Sequence, residues 1–243
     1  MKVISVCSLK GGAGKTSLAV FLSLALATEN KRVLVVDVDP NNNLTDFFLR
    51  NTDADEIERR NVKHFITGEN PPEECMYDVS FSGNVKIIPC TVSLHTATHE
   101  LSRNPGTMLK FSSLLRRLPF DVVILDTPPF PGYELALALH ASDAVLSPVA
   151  LSRWTVQAYS ALESELDIVS EGMEKIRSFH AVPVLVTPRE EMILRKSLNG
   201  TPVTKSAVHR SASIRSAVEK GIALKHGTKC ELEFQELARE VMS

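Results

Sequence analysis

Short runs of Val, Ile and Leu punctuate the chain at Val3–Ser8, Val33–Asp37, Val85–Ile88, Val122–Asp126, Ala144–Val149 and Val182–Thr187. They are apolar at nearly every position rather than alternating, which is the pattern of strands buried on both faces of a sheet. Longer mixed segments between them predict helices over Lys15–Thr28, Thr107–Arg117, Tyr133–His140, Thr155–Val169 and Ser211–Lys220. A last helix, Glu231–Met242, sets Leu232, Leu237 and Val241 on one side and carboxylates on the other. Strands alternating with helices predict right-handed βαβ units and an α/β fold, a doubly wound, mostly parallel sheet flanked by helices. Asn51–Asp78 is polar and acidic around Pro71-Pro72 and is expected to be a helical excursion followed by a surface loop. Nothing marks a linker, so residues 1–243 are expected to form a single domain.

Composition narrows the class. Of 243 residues, 44% are apolar and 23% charged, ordinary values for a globular chain that exclude disorder and collagen-like repeats. No stretch approaches the ~18–20 apolar residues of a membrane span. The N-terminal residues run straight into a glycine loop, which predicts no signal peptide and a cytoplasmic protein. Cys7, Cys75, Cys90 and Cys230 are widely spaced, as reduced apolar residues would be, with no ligand spacing for a metal. The net charge of -2 hides a segregation: residues 175–229 carry 11 basic and 3 acidic side chains, a net of +8, against -10 for the remainder. Such asymmetry points to an anionic partner or to a solvated basic face.

The sharpest chemical signal is Lys10-Gly11-Gly12-Ala13-Gly14-Lys15-Thr16-Ser17, after the first predicted strand and opening the first helix. Glycines let the backbone turn successive N–H groups around a phosphate, and the helix N-terminus adds its partial positive charge. Lys15 can reach β- and γ-phosphates, and the Thr16 hydroxyl can bind Mg²⁺. The ordinary phosphate-loop pattern asks for glycine where Leu9 stands, and a dinucleotide loop asks for glycine where Ser17 stands. A GTPase would follow Val182–Val186 with Asn-Lys-x-Asp, whereas the chain reads Thr187-Pro188-Arg189-Glu190. The chain lacks that guanine-reading motif, which favours ATP without deciding it, and Pro188 and the Val203–Thr204 stretch are the candidate borders of the adenine.

The extra lysine makes the loop resemble the deviant Walker A motif, KGGxGK[ST], of the MinD/ParA class of P-loop ATPases. Further segments carry the likeness. Val35–Thr45, with Asp37-Val38-Asp39-Pro40-Asn41-Asn42-Asn43, is similar to the ParA motif DxDPQGNxT, with Asn41 and Asn42 in place of Gln and Gly. Asp121–Pro129 resembles the family's DxxxxDxPP, His140–Val149 its ASDxVxxPV, and Ser213–Gly221 a late segment of small plasmid-type ParA proteins without an N-terminal helix-turn-helix. The resemblance implies that Lys10 crosses a nucleotide-sandwich homodimer to the partner's phosphates. It implies that Lys15 and the loop amides from Gly11 to Ser17 hold the nucleotide, and that Thr16 and Asp126 hold Mg²⁺. Asp37 is expected to support the metal shell and Asp39 to orient the attacking water.

Three kinds of relative share this machinery. A MinD-like membrane ATPase needs a basic amphipathic C-terminus, whereas Glu231, Glu233, Glu236 and Glu240 stand here against Arg239. A metal or iron–sulfur carrier needs paired cysteines. A ParA-like ATPase needs a basic surface for non-specific DNA, and Arg189, Arg195, Lys196, Lys205, Arg210, Arg215, Lys220 and Lys225 are the candidates. The expectation is an ATP-dependent, nucleoid-associated dimer. With a ParB-like adaptor it partitions or positions a plasmid, chromosome or protein assembly, and no membrane is involved.

Overall fold

The computed structural model describes residues 1–104, 106–170 and 178–243. The strands are β1 (Lys2–Val6), β2 (Val33–Asp37), β3 (Tyr77–Val79), β4 (Ser82–Ile88), β5 (Val122–Asp126), β6 (Ala144–Val149), β7 (Ser178–Val186) and β8 (Val208–His209). The helices are α1 (Lys15–Thr28), α2 (Asn43–Leu49), α3 (Ala54–Arg59), α4 (Val62–Thr67), α5 (Ser93–Leu101), α6 (Gly106–Arg117), α7 (Tyr133–Ala141), α8 (Thr155–Ser170), α9 (Pro188–Ser197), α10 (Ala212–Lys220) and α11 (Lys229–Met242).

One sheet runs in the order β3-β4-β2-β5-β1-β6-β7-β8, and only the β3·β4 pair is antiparallel. The doubly wound architecture expected from the strand pattern is thus present. Successive strand residues feed opposite layers, the period-two consequence of the pleat. Ile4, Val35, Ile87 and Ile124 pack with α1, α2 and α11, where Phe21 meets Phe47 and Phe234 at 5.9 and 5.3 Å between ring centres. Val3, Leu34, Val36, Val123 and Leu125 pack on the other face with α4, α6 and α7.

The stretch Asn51–Asp78 holds the expected helical excursion, but its later part is not simply a surface loop. It folds as α3, α4 and a short 3-10 turn over Pro72–Cys75 before β3 begins. Val62, Phe65, Ile66 and Cys75 are buried in the second layer. All four cysteines are buried and unpaired, and burial pushes the Cys7 thiol up to about 12. Among the described residues no helix is long and apolar enough to cross a membrane.

Candidate active site

The register brings the chemistry to one end of the sheet. Val6 pairs with Asp126 and Asp37 pairs with Asp126, so the ends of β1, β2 and β5 lie side by side. β1 leads through α1 to β2 on one side, whereas β5 leads through α7 to β6 on the other. A doubly wound sheet opens its ligand crevice where connections diverge in this way.

The glycine loop spans that crevice. Gly12 and Gly14 have φ of +70° and +91°, conformations that L side chains rarely adopt, and Gly14 is the N-cap of α1. A Cβ on Gly14 would also sit 3.2 Å from Val184 Cγ1. No side chain caps α1, so its first N–H groups face the loop's interior. Lys15, in the first turn, is buried. Burial lowers its pKa, and Asp126 and Asp39 nearby oppose that shift.

Asp126 is the fully buried partner. Its Oδ2 accepts the Thr16 hydroxyl at 2.7 Å, while Oδ1 is buried with no hydrogen-bond donor. Burial, and then the neighbouring Asp37 carboxyl, raise its pKa well above the ordinary value. Buried polar atoms without partners are rare in folded proteins. Hard oxygen donors at Thr16 and Asp126, one of them unpaired, fit a magnesium ion.

Asp37 is differently engaged. Its Oδ1 accepts the Asp39 amide at 3.0 Å, and its Oδ2 accepts the Thr45 amide and hydroxyl at 2.9 and 2.7 Å. Burial raises it to about 7 despite these donors. It organises the loop that leads into α2. In that loop Asp39 Oδ1 accepts the Asn41 amide and side-chain Nδ2 at 3.0 and 2.9 Å. Asn42 occupies the left-handed region with φ +49°, and its amide donates to the Asp39 carbonyl at 2.8 Å. Asparagine tolerates this conformation better than other side chains. It therefore takes the left-handed position where the motif has glycine.

A cavity of about 380 Å³ opens over the glycine loop; Asp37 and Asp126 are not among its lining residues, and Asp126 meets it through Thr16. The cavity is lined by Gly11–Ser17 and Asp39, and also by Asn41, Asp46, Phe47, Leu185 and Val218. Lys10 is half-buried at the start of the loop, outside the lining residues. Pro188 does not line the cavity. It is the first residue of α9, behind a capping box in which Thr187 and Glu190 satisfy each other's backbone amides. Val203 and Thr204 instead pair with Ala181 of β7. Leu185, three residues before Pro188, is the side chain from this segment that reaches the cavity. It does so from a left-handed backbone, φ +57°, where the pairing of β7 with β8 slips.

The basic segment divides by partnership. Arg195 donates to Glu191 and to the carbonyls of Thr204 and Lys205 at 2.8, 2.7 and 2.8 Å, which pins α9 to the following loop. Arg210 reaches the Leu185 carbonyl and Glu190, and Arg215 pairs with Glu219. Arg189, Lys196, Lys205, Lys220 and Lys225 are exposed, and among the described residues none of them forms an ion pair with a carboxylate. Lys175 and Arg177, also counted in the basic segment, lie outside the described residues.

Known proteins resemble this chain in sequence and in fold. A family described as an AAA domain matches residues 1–177. The chromosome partitioning protein ParA of Myxococcus xanthus is 28% identical over 174 residues, covering 71% of this chain and 60% of that protein. The sporulation initiation inhibitor Soj of Bacillus subtilis is 30% identical over 187 residues, covering 71% of this chain and 67% of its own. The alignment thus spans about three fifths to two thirds of these relatives' lengths. McdA of Cyanothece superposes over the whole of both chains without nucleotide, with a TM-score of 0.86 at 21% identity. An ATP complex of a variant of that protein gives 0.84 at 22%, over 100% of this chain and 96% of the other. With the lysine-bearing glycine loop, the Asp37–Thr45 motif and the Asp126 strand all gathered on one doubly wound sheet, the chain belongs to the ParA family of P-loop proteins.

Proposed function

We propose that the chain is a ParA-type positioning ATPase. With ATP and Mg²⁺ two copies close across their nucleotides, and the dimer binds DNA without sequence preference. A ParB-like adaptor then stimulates hydrolysis and release. The observation that carries this reading is the convergence of Lys15, Thr16, Asp126 and Asp39 on the glycine loop, with Asp126 Oδ1 buried and unpaired.

Lys15 and the amides of residues 11–17 hold the phosphates. A magnesium ion held by Thr16 and Asp126 supplies charge neutralisation at the phosphate oxygens. Asp39 has Oδ1 fixed by Asn41, and its other oxygen is the one that orients the attacking water. Asp37 acts one step removed, by shaping the loop that carries Asp39. Lys10 serves the partner subunit's phosphates, supplying a cation in trans as an arginine finger does, a role that its absence from the lining of its own cavity supports. Leu185, which lines the cavity, borders the base.

Arg189, Lys196, Lys205, Lys220 and Lys225 supply most of the phosphate contacts to DNA. Arg195, Arg210 and Arg215 contribute less because carboxylates and carbonyls already engage them. Joining two such surfaces in the dimer raises DNA affinity by avidity. The protein then works in the cytoplasm on the nucleoid, and its cargo is a plasmid, a chromosome or a protein assembly.

The test is DNA retention with ATP, with ADP and without nucleotide across a salt series. ATP is expected to strengthen retention and salt to weaken it. Retention that ignores the nucleotide overturns the reading. Lys15→Ala is expected to lose ATP binding, and Asp39→Ala to keep ATP but lose turnover.

A further inference from the structure

The helix that carries Arg215 and Lys220 is tied to the walls of the phosphate cavity at both ends. At the C-terminus of α10, Arg50 donates from Nη1 to the Glu219 carbonyl at 3.2 Å. That is one of the last-turn carbonyls that a helix leaves without a partner. The same guanidinium reaches back to Asp46 Oδ2 at 3.3 Å. Gly221 ends α10 with φ +59°, and a Cβ there would fall 2.3 Å from Arg50 Nε and 2.4 Å from Cζ. The guanidinium therefore lies against bare backbone, in space that only glycine leaves open. At the other end Arg210, just before the N-cap Ser211, donates to the Leu185 carbonyl at 3.2 Å.

These anchors belong to the cavity. Asp46, Leu185 and Val218 of α10 line it together with the glycine loop. Arg50 is the C-cap of α2, and α2 starts in the Asp39–Asn42 turn and grips Asp37 through Thr45. The seven residues of α2 make a rod of about 10 Å at 1.5 Å per residue. One end of that rod lies in the loop that faces the phosphates, and the other end holds the basic helix.

We infer that Arg50 is a positioning residue that transmits the state of the phosphate cavity to α10, so that nucleotide held against Asp39, Asn41 and Asp46 sets how the helix presents Arg215 and Lys220 to a polyanion. The inference rests on the nucleotide and DNA binding proposed above. Linkage makes the coupling reciprocal: ATP strengthens DNA binding by the factor by which DNA strengthens ATP binding.

The test compares the wild-type chain with Arg50→Ala and Arg50→Lys, using a fluorescent ATP analogue, a random-sequence DNA duplex and amide hydrogen exchange. Arg50→Ala is expected to bind ATP within about twofold of wild type while the ratio of DNA affinities with ATP and ADP falls at least about fivefold, the lower end of ordinary coupling. Arg50→Lys, which keeps the charge but replaces the forked guanidinium with a single donor nitrogen, is expected to recover part of that ratio. In the wild type ATP is expected to change exchange at residues 10–17 and at 212–221. In Arg50→Ala only the first change survives. An Arg50→Ala chain with a wild-type ratio and a wild-type exchange response in α10 overturns the inference, and so does loss of both exchange responses together. If the wild type binds no DNA in any nucleotide state yet the exchange pattern holds, the DNA reading fails and the Arg50 coupling stands.

Discussion

Asn42 is the residue at which this chain departs most from its family motif, and its geometry allows a quantitative prediction. Its backbone is left-handed, φ +49° and ψ +31°, and its carbonyl accepts the Asp46 amide at 2.9 Å as α2 begins. Most L residues in that region cost about 1–2 kcal/mol, and asparagine less because its short polar side chain bonds locally. Asn42→Ala is therefore expected to destabilise the fold by about 1 kcal/mol. Asn42→Val is expected to cost about 2 kcal/mol, since a β-branched side chain fits this region worst. Asn42→Gly should fall within about 0.5 kcal/mol of wild type, its freedom in the turn offset by the entropy it adds to the unfolded chain. For a domain of this size each kcal/mol moves Tm by roughly 2–4 °C. The same substitutions reach turnover by another route. If the valine chain relieves its strain by moving the turn, Asp39 loses the two donors of Asn41, so ATP hydrolysis should drop by more than the loss of folded protein accounts for. Urea unfolding and steady-state phosphate release measure the two quantities. An Asn42→Val chain with wild-type stability and turnover would refute the assigned turn.

Other perturbations separate roles that share a region. Thr16→Val removes the donor to Asp126 Oδ2 and is expected to weaken Mg²⁺-dependent nucleotide binding ten- to a hundredfold, the value of about 1.5–3 kcal/mol for a hydrogen bond to a charged group; titration calorimetry with and without Mg²⁺ measures it. Arg195→Ala forfeits three hydrogen bonds and should cost about 2 kcal/mol of stability, whereas Lys196→Ala should leave stability unchanged and lower the salt slope of DNA binding by roughly one. The Arg32 guanidinium, hydrogen-bonded to Asp121, lowers that carboxyl from 3.8 to about 2. A depressed carboxylate adds stability that is complete above its unfolded value and lost as pH falls from there through about 2. Arg32→Met should return Asp121 toward 3.8 in a carboxyl NMR titration and flatten the loss of stability between pH 4 and 2. An unmoved Asp121 would show that the guanidinium is not the cause.

What could be read from the sequence follows from how local each cause is. The central parallel strands announce themselves because burial on both faces demands unbroken apolar runs, and the glycine loop because its positive φ angles and bare backbone leave no other choice of residue. The edges were less legible. β3 and β8 are three and two residues long, too short for any period to show, and β8 is set by its neighbour β7 rather than by its own side chains. α9 is absent from the helices that the apolar pattern predicts, and a proline directly after a strand does not by itself mark a helix start. The Thr187…Glu190 spacing that makes it a first-turn proline in a capping box was present and is the signal that could have found the helix. The cavity wall shows the deeper limit. Leu185 and Val218 belong to segments that say nothing about phosphates, and they reach the glycine loop only because β7 slips against β8 and α10 folds back over the sheet's end. Charge was legible as a sum but not as a surface. The +8 segment contains Arg195, Arg210 and Arg215, whose guanidinium groups carboxylates or carbonyls already engage although Arg210 and Arg215 stay exposed, and also Lys196, Lys205, Lys220 and Lys225, which are exposed and form no ion pair with a carboxylate among the described residues. The partners lie at every sequence distance: Arg215 pairs with Glu219 four positions on, whereas the carbonyl that holds Arg210 lies 25 positions away and the one that Arg50 holds lies 169 away. A tally of basic residues therefore overstates the free positive surface, and an arginine outside the basic segment, Arg50, turns out to hold that surface's central helix in place.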